Sequence, residues 1–441
     1  MGQSRGPEEA FILAANLSLV GALGWVALEP GVLDGHFYRN PVFGLTHILT
    51  LGWVSLMILG VLLRLSPVAL GVEPRGKRLG FAVWGLWVVG ASGVVAHMIR
   101  GEWFGVWTSA VCVFASAVLL PVLHPGILRR AREGNAVARY AALAMLNLIL
   151  AASAGLFIGI NKHLGLVALD PTAVLGIHFH LAEIGWVSFM ILGFGRKLLP
   201  SLAPLAARDR GETRRRLLAL EVGLLCVVAG LLGVPGLLFA GTILLGFGIL
   251  DHLGRPLLRL ARGRVEDRAS FWASIALLFL AVDVLLGMLL GLDLEAVLPW
   301  PRDRLLFAYG VIALLGWNTL AITSIAMKLF PLWVWKERFE EDWGKRPVPA
   351  VKDLYCRYVQ EATGAALGAG CLVTVAGILQ AEPSVVAWGV RVAALGSLCF
   401  LFNFVRMSRW AILPLEFRPG PRDWERFHAL CGEGKDAFPG T

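Results

Sequence analysis

Charge is scarce in this chain. Of its 441 residues, 16% are Asp, Glu, Lys or Arg, against 57% hydrophobic. So little charge cannot cover a water-soluble surface of that size, which excludes both a soluble globular protein and a disordered chain. Cysteine pairing is also missing. The six cysteines (Cys112, Cys226, Cys356, Cys371, Cys399 and Cys431) show no CxxC spacing, and most stand in apolar runs. That excludes a disulfide framework, a thiolate cluster motif and a c-type haem attachment, and leaves small core residues. There is no cleavable leader pattern, because the apolar segment from Glu9 to Leu33 is too long for a signal core and lacks a cleavage site. The net charge of +9 sits in short loops between apolar runs, which speaks against nucleic acid and for a lipid bilayer as the partner.

What the chain has is long hydrophobic runs. Twelve stretches are long enough to cross a bilayer, about 20 residues each: 9–33, 42–66, 78–99, 103–123, 136–160, 172–200, 215–232, 234–254, 268–292, 303–332, 358–380 and 384–409. The expected fold is an all-α integral membrane protein, one transmembrane domain over residues 1–441. Residues 333–357 form a loop and 410–441 a tail. Alternate loops are rich in cations (Arg75, Lys77, Arg78; Arg129, Arg130, Arg132; Lys336, Arg338, Lys345), while the others hold little beyond Arg39, Arg100 and Lys162. By the positive-inside bias both termini face the cytoplasm, across the inner membrane of a prokaryote.

One pattern recurs three times inside these runs: THILTLGWVSLMILGVLLRLSP from Thr46, FHLAEIGWVSFMILGFGRKLLP from Phe179 and GVIALLGWNTLAITSIAMKLFP from Gly310. The glycines fall at Gly52, Gly185 and Gly316, spaced 185 − 52 = 133 and 316 − 185 = 131. Arg64, Lys197 and Lys328 follow at a fixed offset, then Pro67, Pro200 and Pro331, expected to end those helices. Regular spacing of this kind predicts three four-helix repeats, over approximately 9–123, 136–254 and 268–409, around a pseudo-threefold axis. The motif then falls on the second, sixth and tenth spans.

Five residues before each glycine stand His47, His180 and Val311. Two histidines at equivalent depth, on the order of 10 Å below the cation-poor boundary at 1.5 Å per residue, point to a shared interior site. Ionisable groups at that depth are costly and usually mark a cofactor, cavity or ion path. Neighbouring candidates are Glu183, one turn after His180; Asp283, which with Glu183 suggests a proton path or is equally a structural hydrogen bond; and Arg391, suited to a buried carboxylate or equally a snorkelling residue paired with a carbonyl. His178 is two residues from His180, so on an ideal helix the two point about 200° apart and cannot share one metal. His97 and His163 stand at span ends, and His97 is a further candidate metal ligand. Imidazole is a common ligand of haem iron and transition metals, but a membrane histidine can equally hydrogen-bond a neighbouring helix.

Twelve spans in three groups, with histidines on the second and sixth, resemble the catalytic subunit of the haem–copper oxidase and nitric oxide reductase superfamily. His178-Phe179-His180 resembles the superfamily's H-F-H segment, and THILTLGWVSLMILGVLLR resembles its divergent NnrS-like members, linked to nitric oxide metabolism. The resemblance implies a b-type haem with His47 and His180 as axial ligands, His178 on a second haem and Arg391 near the propionates. The implied function is nitric oxide handling or electron transfer, as an oxidoreductase if the protein is an enzyme, with a redox partner or accessory subunit. The departures are specific. The H-F-H lies on the sixth span and not the tenth, where Tyr309 and Val311 stand instead. The seventh span lacks the copper-binding histidine pair, so a complete dinuclear centre and proton-pumping oxygen reduction are not expected. Two alternatives remain: copper or other metal delivery through the histidines, and a cofactor-free proton-coupled transporter using Glu183 and Asp283.

Overall fold

A computed structural model describes residues 6–198, 210–263, 265, 267–343, 345 and 348–412. Pro200, His428, Cys431 and the tail beyond residue 412 lie outside the described residues. In a bilayer no water satisfies a free N–H or C=O, so an apolar chain must close its backbone hydrogen bonds within each segment. All regular structure among the described residues is accordingly helical.

The long helices are α1 (Pro7–Leu28), α2 (Asn40–Leu70), α3 (Lys77–Arg100), α4 (Trp103–Leu123), α5 (Ala136–Leu164), α6 (Pro171–Gly195), α7 (Arg210–Leu231), α8 (Leu237–Ala261), α9 (Arg268–Gly291), α10 (Arg302–Asp342), α11 (Arg357–Gln380) and α12 (Pro383–Trp410). Eleven of them are long and apolar enough to cross a membrane. The exception is α7, expected to be a span. It forms a helix of 22 residues hairpinned onto α8, but it opens with Arg214, Arg215 and Arg216, and its apolar part begins only at Leu217.

The helices that carry the repeated motif form the centre. Each changes its winding at the same place. Eight residues in each, Ile48–Ser55, Leu181–Ser188 and Ile312–Thr319, adopt the wider π-helical turn, starting just after His47, His180 and Val311. Such stretches are rare and concentrate at functional sites. The motif glycines fit against a neighbouring helix. A methyl at Gly52 would fall 2.8 Å from Ser18 Oγ on α1, one at Gly185 2.6 Å from Asn147 Cβ on α5, and one at Gly316 2.6 Å from a Phe279 ring carbon on α9. The tryptophans that follow are fully buried and reach sideways. Trp186 Nε1 donates to Ser55 Oγ of α2 at 3.0 Å, and Trp317 Nε1 donates to Ser188 Oγ of α6 at 2.8 Å. The indole N–H of Trp53 finds no acceptor among the described residues, while the Thr319 hydroxyl, in the place of the two serines, donates to Leu314 O at 2.8 Å in its own helix. Beyond these, Met57, Met190, Phe194, Ile322 and Leu329 of the three helices enclose an apolar void of about 60 Å³.

Two expectations about helix ends need correction. Pro67 stands inside α2, in a wide turn over Ser66–Leu70 that ends at Gly71 with φ of +63°. Pro331 stands within the helical stretch Leu320–Phe339, which runs on past Trp333. Proline removes one hydrogen bond, and packed neighbours in a membrane bundle let the helix continue through it.

A histidine-lined cavity between α2, α5, α6 and α10

Above the π-helical stretches, towards the cation-poor end, lies a cavity of about 640 Å³ with predominantly apolar walls. His47 from α2, His178, His180 and Glu183 from α6, and Tyr309 from α10 all line it. Three small residues of α5, Ala151, Ala152 and Gly155, form one wall and make room for rings.

The three histidines are anchored alike. The Nδ1 of His47 lies 2.8 Å from Phe43 O, that of His180 2.7 Å from Gly176 O, and that of His178 3.0 Å from Ala151 O of α5. A carbonyl accepts only, so each Nδ1 carries the proton and each Nε2 keeps its lone pair. Among the described residues, no partner engages any of these Nε2 atoms. This is the tautomer, and the outer hydrogen bond, of a metal-binding imidazole.

His47 meets His178. Their ring centroids stand 6.1 Å apart with an interplanar angle of 17°. His178 is held there from behind, since a methyl at Gly155 would lie 2.9 Å from its Cε1. The expectation had paired His47 with His180 instead. His180 faces Phe179 and Tyr309, at 5.5 and 6.4 Å between centroids. The 200° divergence read for His178 and His180 on one helix fits these separate neighbours.

Buried polar groups lie beside His180. Glu183 is 5% exposed, and its Oε2 accepts from Asn318 Nδ2 at 2.6 Å, while Oε1 has no partner. Asp283 of α9 is 4% exposed with Oδ1 unpartnered among the described residues, and one turn further along α9 a methyl at Gly287 would lie 3.3 Å from the Tyr309 hydroxyl. Glu183 faces the cavity, whereas Asp283 stands behind its wall. A carboxylate left charged and half-satisfied in hydrocarbon would be very costly, so these groups are suited to holding protons.

Two candidates lie elsewhere. Arg391 points outward: it is exposed, Nε donates to Ala27 O at 3.3 Å, and its guanidinium lies 5.9 Å from the Trp388 ring centroid. Eight residues after the start of α12, its register turns the side chain away from the bundle. His97 is at the end of α3, outside the cavity, with Nδ1 2.6 Å from Glu102 Oε2; that contact holds the Glu102 carboxyl below its usual range. No group of three or more His, Cys, Asp or Glu side chains suited to a metal ion occurs among the described residues.

Residues not singled out from the sequence complete the mouth of the cavity: Tyr38, Trp103, Asn161 and Lys162. The one available signal was that Lys162 is among the few cations of the cation-poor loops. Neither a protein-family model nor a curated protein matches this chain.

Proposed function

We propose that this is a multi-pass membrane haem protein whose cavity holds a b-type haem between His47 and His178. The observation that carries it is the spacing of those two rings. A metal–nitrogen bond of about 2.0 Å plus about 1.1 Å from nitrogen to ring centre, taken twice, gives roughly 6.2 Å between two imidazoles that share one metal. The observed separation is 6.1 Å with nearly parallel rings. Both Nδ1 atoms are tied to backbone, both Nε2 lone pairs are available, and the surrounding apolar space is large enough for a flat macrocycle. Two nitrogen ligands with no cysteine thiolate among them also fit the donor set that haem iron takes.

When bound, haem would supply a one-electron couple. The chain supplies the rest. His47 and His178 would hold the group between α2 and α6. The phenyl, indole and aliphatic walls exclude water, and the hydrogen bonds to Phe43 O and Ala151 O raise the basicity of the ligating nitrogens. Held by two protein imidazoles, such a group would favour electron transfer over nitric oxide chemistry at that site. His180, Glu183 and Tyr309 stand in the same cavity as groups that can accept or hold protons. The shared π-helical stretches and sideways Trp–Ser bonds support reading the chain as three four-helix repeats about a pseudo-threefold axis. The cation-rich loops support both termini on the cytoplasmic side of a prokaryotic inner membrane.

An absorption spectrum of the purified protein, oxidised and reduced, tests the proposal. The expected result is a six-coordinate low-spin spectrum. His47→Ala and His178→Ala should each convert or abolish it, and His180→Ala should keep it. Absence of a Soret band after expression with ample haem would overturn the reading, as would a spectrum untouched by His47→Ala and His178→Ala.

A further inference from the structure

Lys162 supplies the only Lys or Arg side chain among the described residues lining the cavity. Its Nζ lies 4.7 Å from the ring centroid of Tyr38 and 4.7 Å from that of Trp103. Two aromatic faces hold an ammonium in place by cation–π attraction without neutralising it. No carboxylate pairs with it among the described residues, so it presents an uncompensated, positioned cation at the edge of an apolar chamber.

Its height is fixed by α5. Gly155 lies against the His178 ring, and Lys162 comes seven residues later on the same helix. Seven residues are close to two full turns, so Lys162 shares the face of Gly155 and stands roughly 10 Å further towards the mouth. The lip beyond it is pinned. Asn161 Nδ2 donates to Val167 O at 2.9 Å, Val167 N donates back to Asn161 Oδ1 at 2.8 Å, and Gly165 turns the chain with φ of +65°. The chamber thus has imidazoles deep inside, apolar walls, and one caged ammonium at the rim on the His178 side.

We propose that Lys162 recognises a carboxylate carried on the edge of the apolar ligand, and so sets which way round that ligand enters. This rests on the haem reading above, in which the carboxylate is a propionate. Lys162 takes the role that the sequence assigned to Arg391.

The test titrates the full-length apoprotein in detergent with haem b and, separately, with its dimethyl ester, following absorbance. Wild type, Lys162→Met and Lys162→Arg are compared. Wild type should favour the diacid over the diester by up to about fivefold, the size expected of one charge pair at a rim. Lys162→Met should bind both porphyrins alike at the diester affinity, and Lys162→Arg should keep the preference. A wild type that binds both equally, or a Lys162→Met variant that keeps the preference, overturns this proposal and leaves the haem reading standing. If neither porphyrin yields a six-coordinate spectrum in wild type, the haem reading falls and this inference falls with it.

Discussion

Gly155→Ala adds one methyl group to the back of the proposed haem site. That methyl would sit 2.9 Å from His178 Cε1, 3.4 Å from Nδ1 and 3.8 Å from Nε2. Ordinary contact between carbons is about 3.5–4.0 Å, so the ring must retreat by several tenths of an ångström. Retreat pulls Nδ1 off Ala151 O, now at 3.0 Å, and changes the 6.1 Å separation of the His178 and His47 rings. Overpacking of a tight site costs about 1–3 kcal/mol, and ligand geometry tolerates about 0.5 Å of error. Haem affinity should therefore fall roughly 5- to 150-fold. The helix itself gains from the exchange, because Ala favours α-helix over Gly by about 1 kcal/mol, so a loss of affinity would not come from unfolding of α5. Haem titration of the apoprotein reads the effect. Gly176→Ala is the control, since its methyl meets the flexible end of Leu231 at 3.2 Å. Unchanged haem affinity in Gly155→Ala would refute the reasoning, because His178 would then not need the position in which α5 holds it.

Two further outcomes follow from groups outside the cavity walls. Ser188→Ala should destabilise the bundle by about 0.6 kcal/mol, the average for hydrogen bonds between membrane helices, and by no more than about 1.7 kcal/mol. Trp317→Phe should cost more than Trp53→Phe, whose N–H already lacks an acceptor; equilibrium unfolding in mixed micelles compares them, and equal costs would contradict the hydrogen-bond account. His124, just past the end of α4, is 1% exposed, and burial pushes it down to about 4. Below its ordinary value of 6.5 the unfolded chain takes a proton that the folded protein refuses. Its contribution to stability is thus complete above pH 6.5 and lost as pH falls towards 4, up to about 3 kcal/mol. Melting temperatures over that window should fall more steeply in wild type than in His124→Gln, and parallel curves would count against it.

The helical membrane architecture was legible because hydrophobic length is a direct statement about a bilayer. The three motif copies led to the central helices because Gly and Trp, at fixed spacing, are what close packing between helices requires. The change of winding after His47 and His180 was not legible. A wider turn leaves no compositional trace, yet it resets which face each following residue presents. For the same reason the partner of His47 could not be read: it depends on how α2 and α6 are rotated about their own axes. Between the two readings of Arg391 the sequence could not choose, since a count of residues from the start of a helix fixes a height and not a side. Lys162 was passed over as an ordinary loop cation because its two aromatic neighbours come from distant parts of the chain, Tyr38 and Trp103.

The contacts that join α2, α6 and α10 are chemically unequal. Between α2 and α6, and between α6 and α10, an indole meets a hydroxyl in dry interior. Between α10 and α2 the corresponding indole stays idle, and Arg64 meets Glu337 nearer the rim. Dissolved ions screen a half-exposed ion pair and leave an occluded hydrogen bond untouched. Ionic strength should therefore weaken the contact along one edge of this triangle and leave those along the other two unchanged.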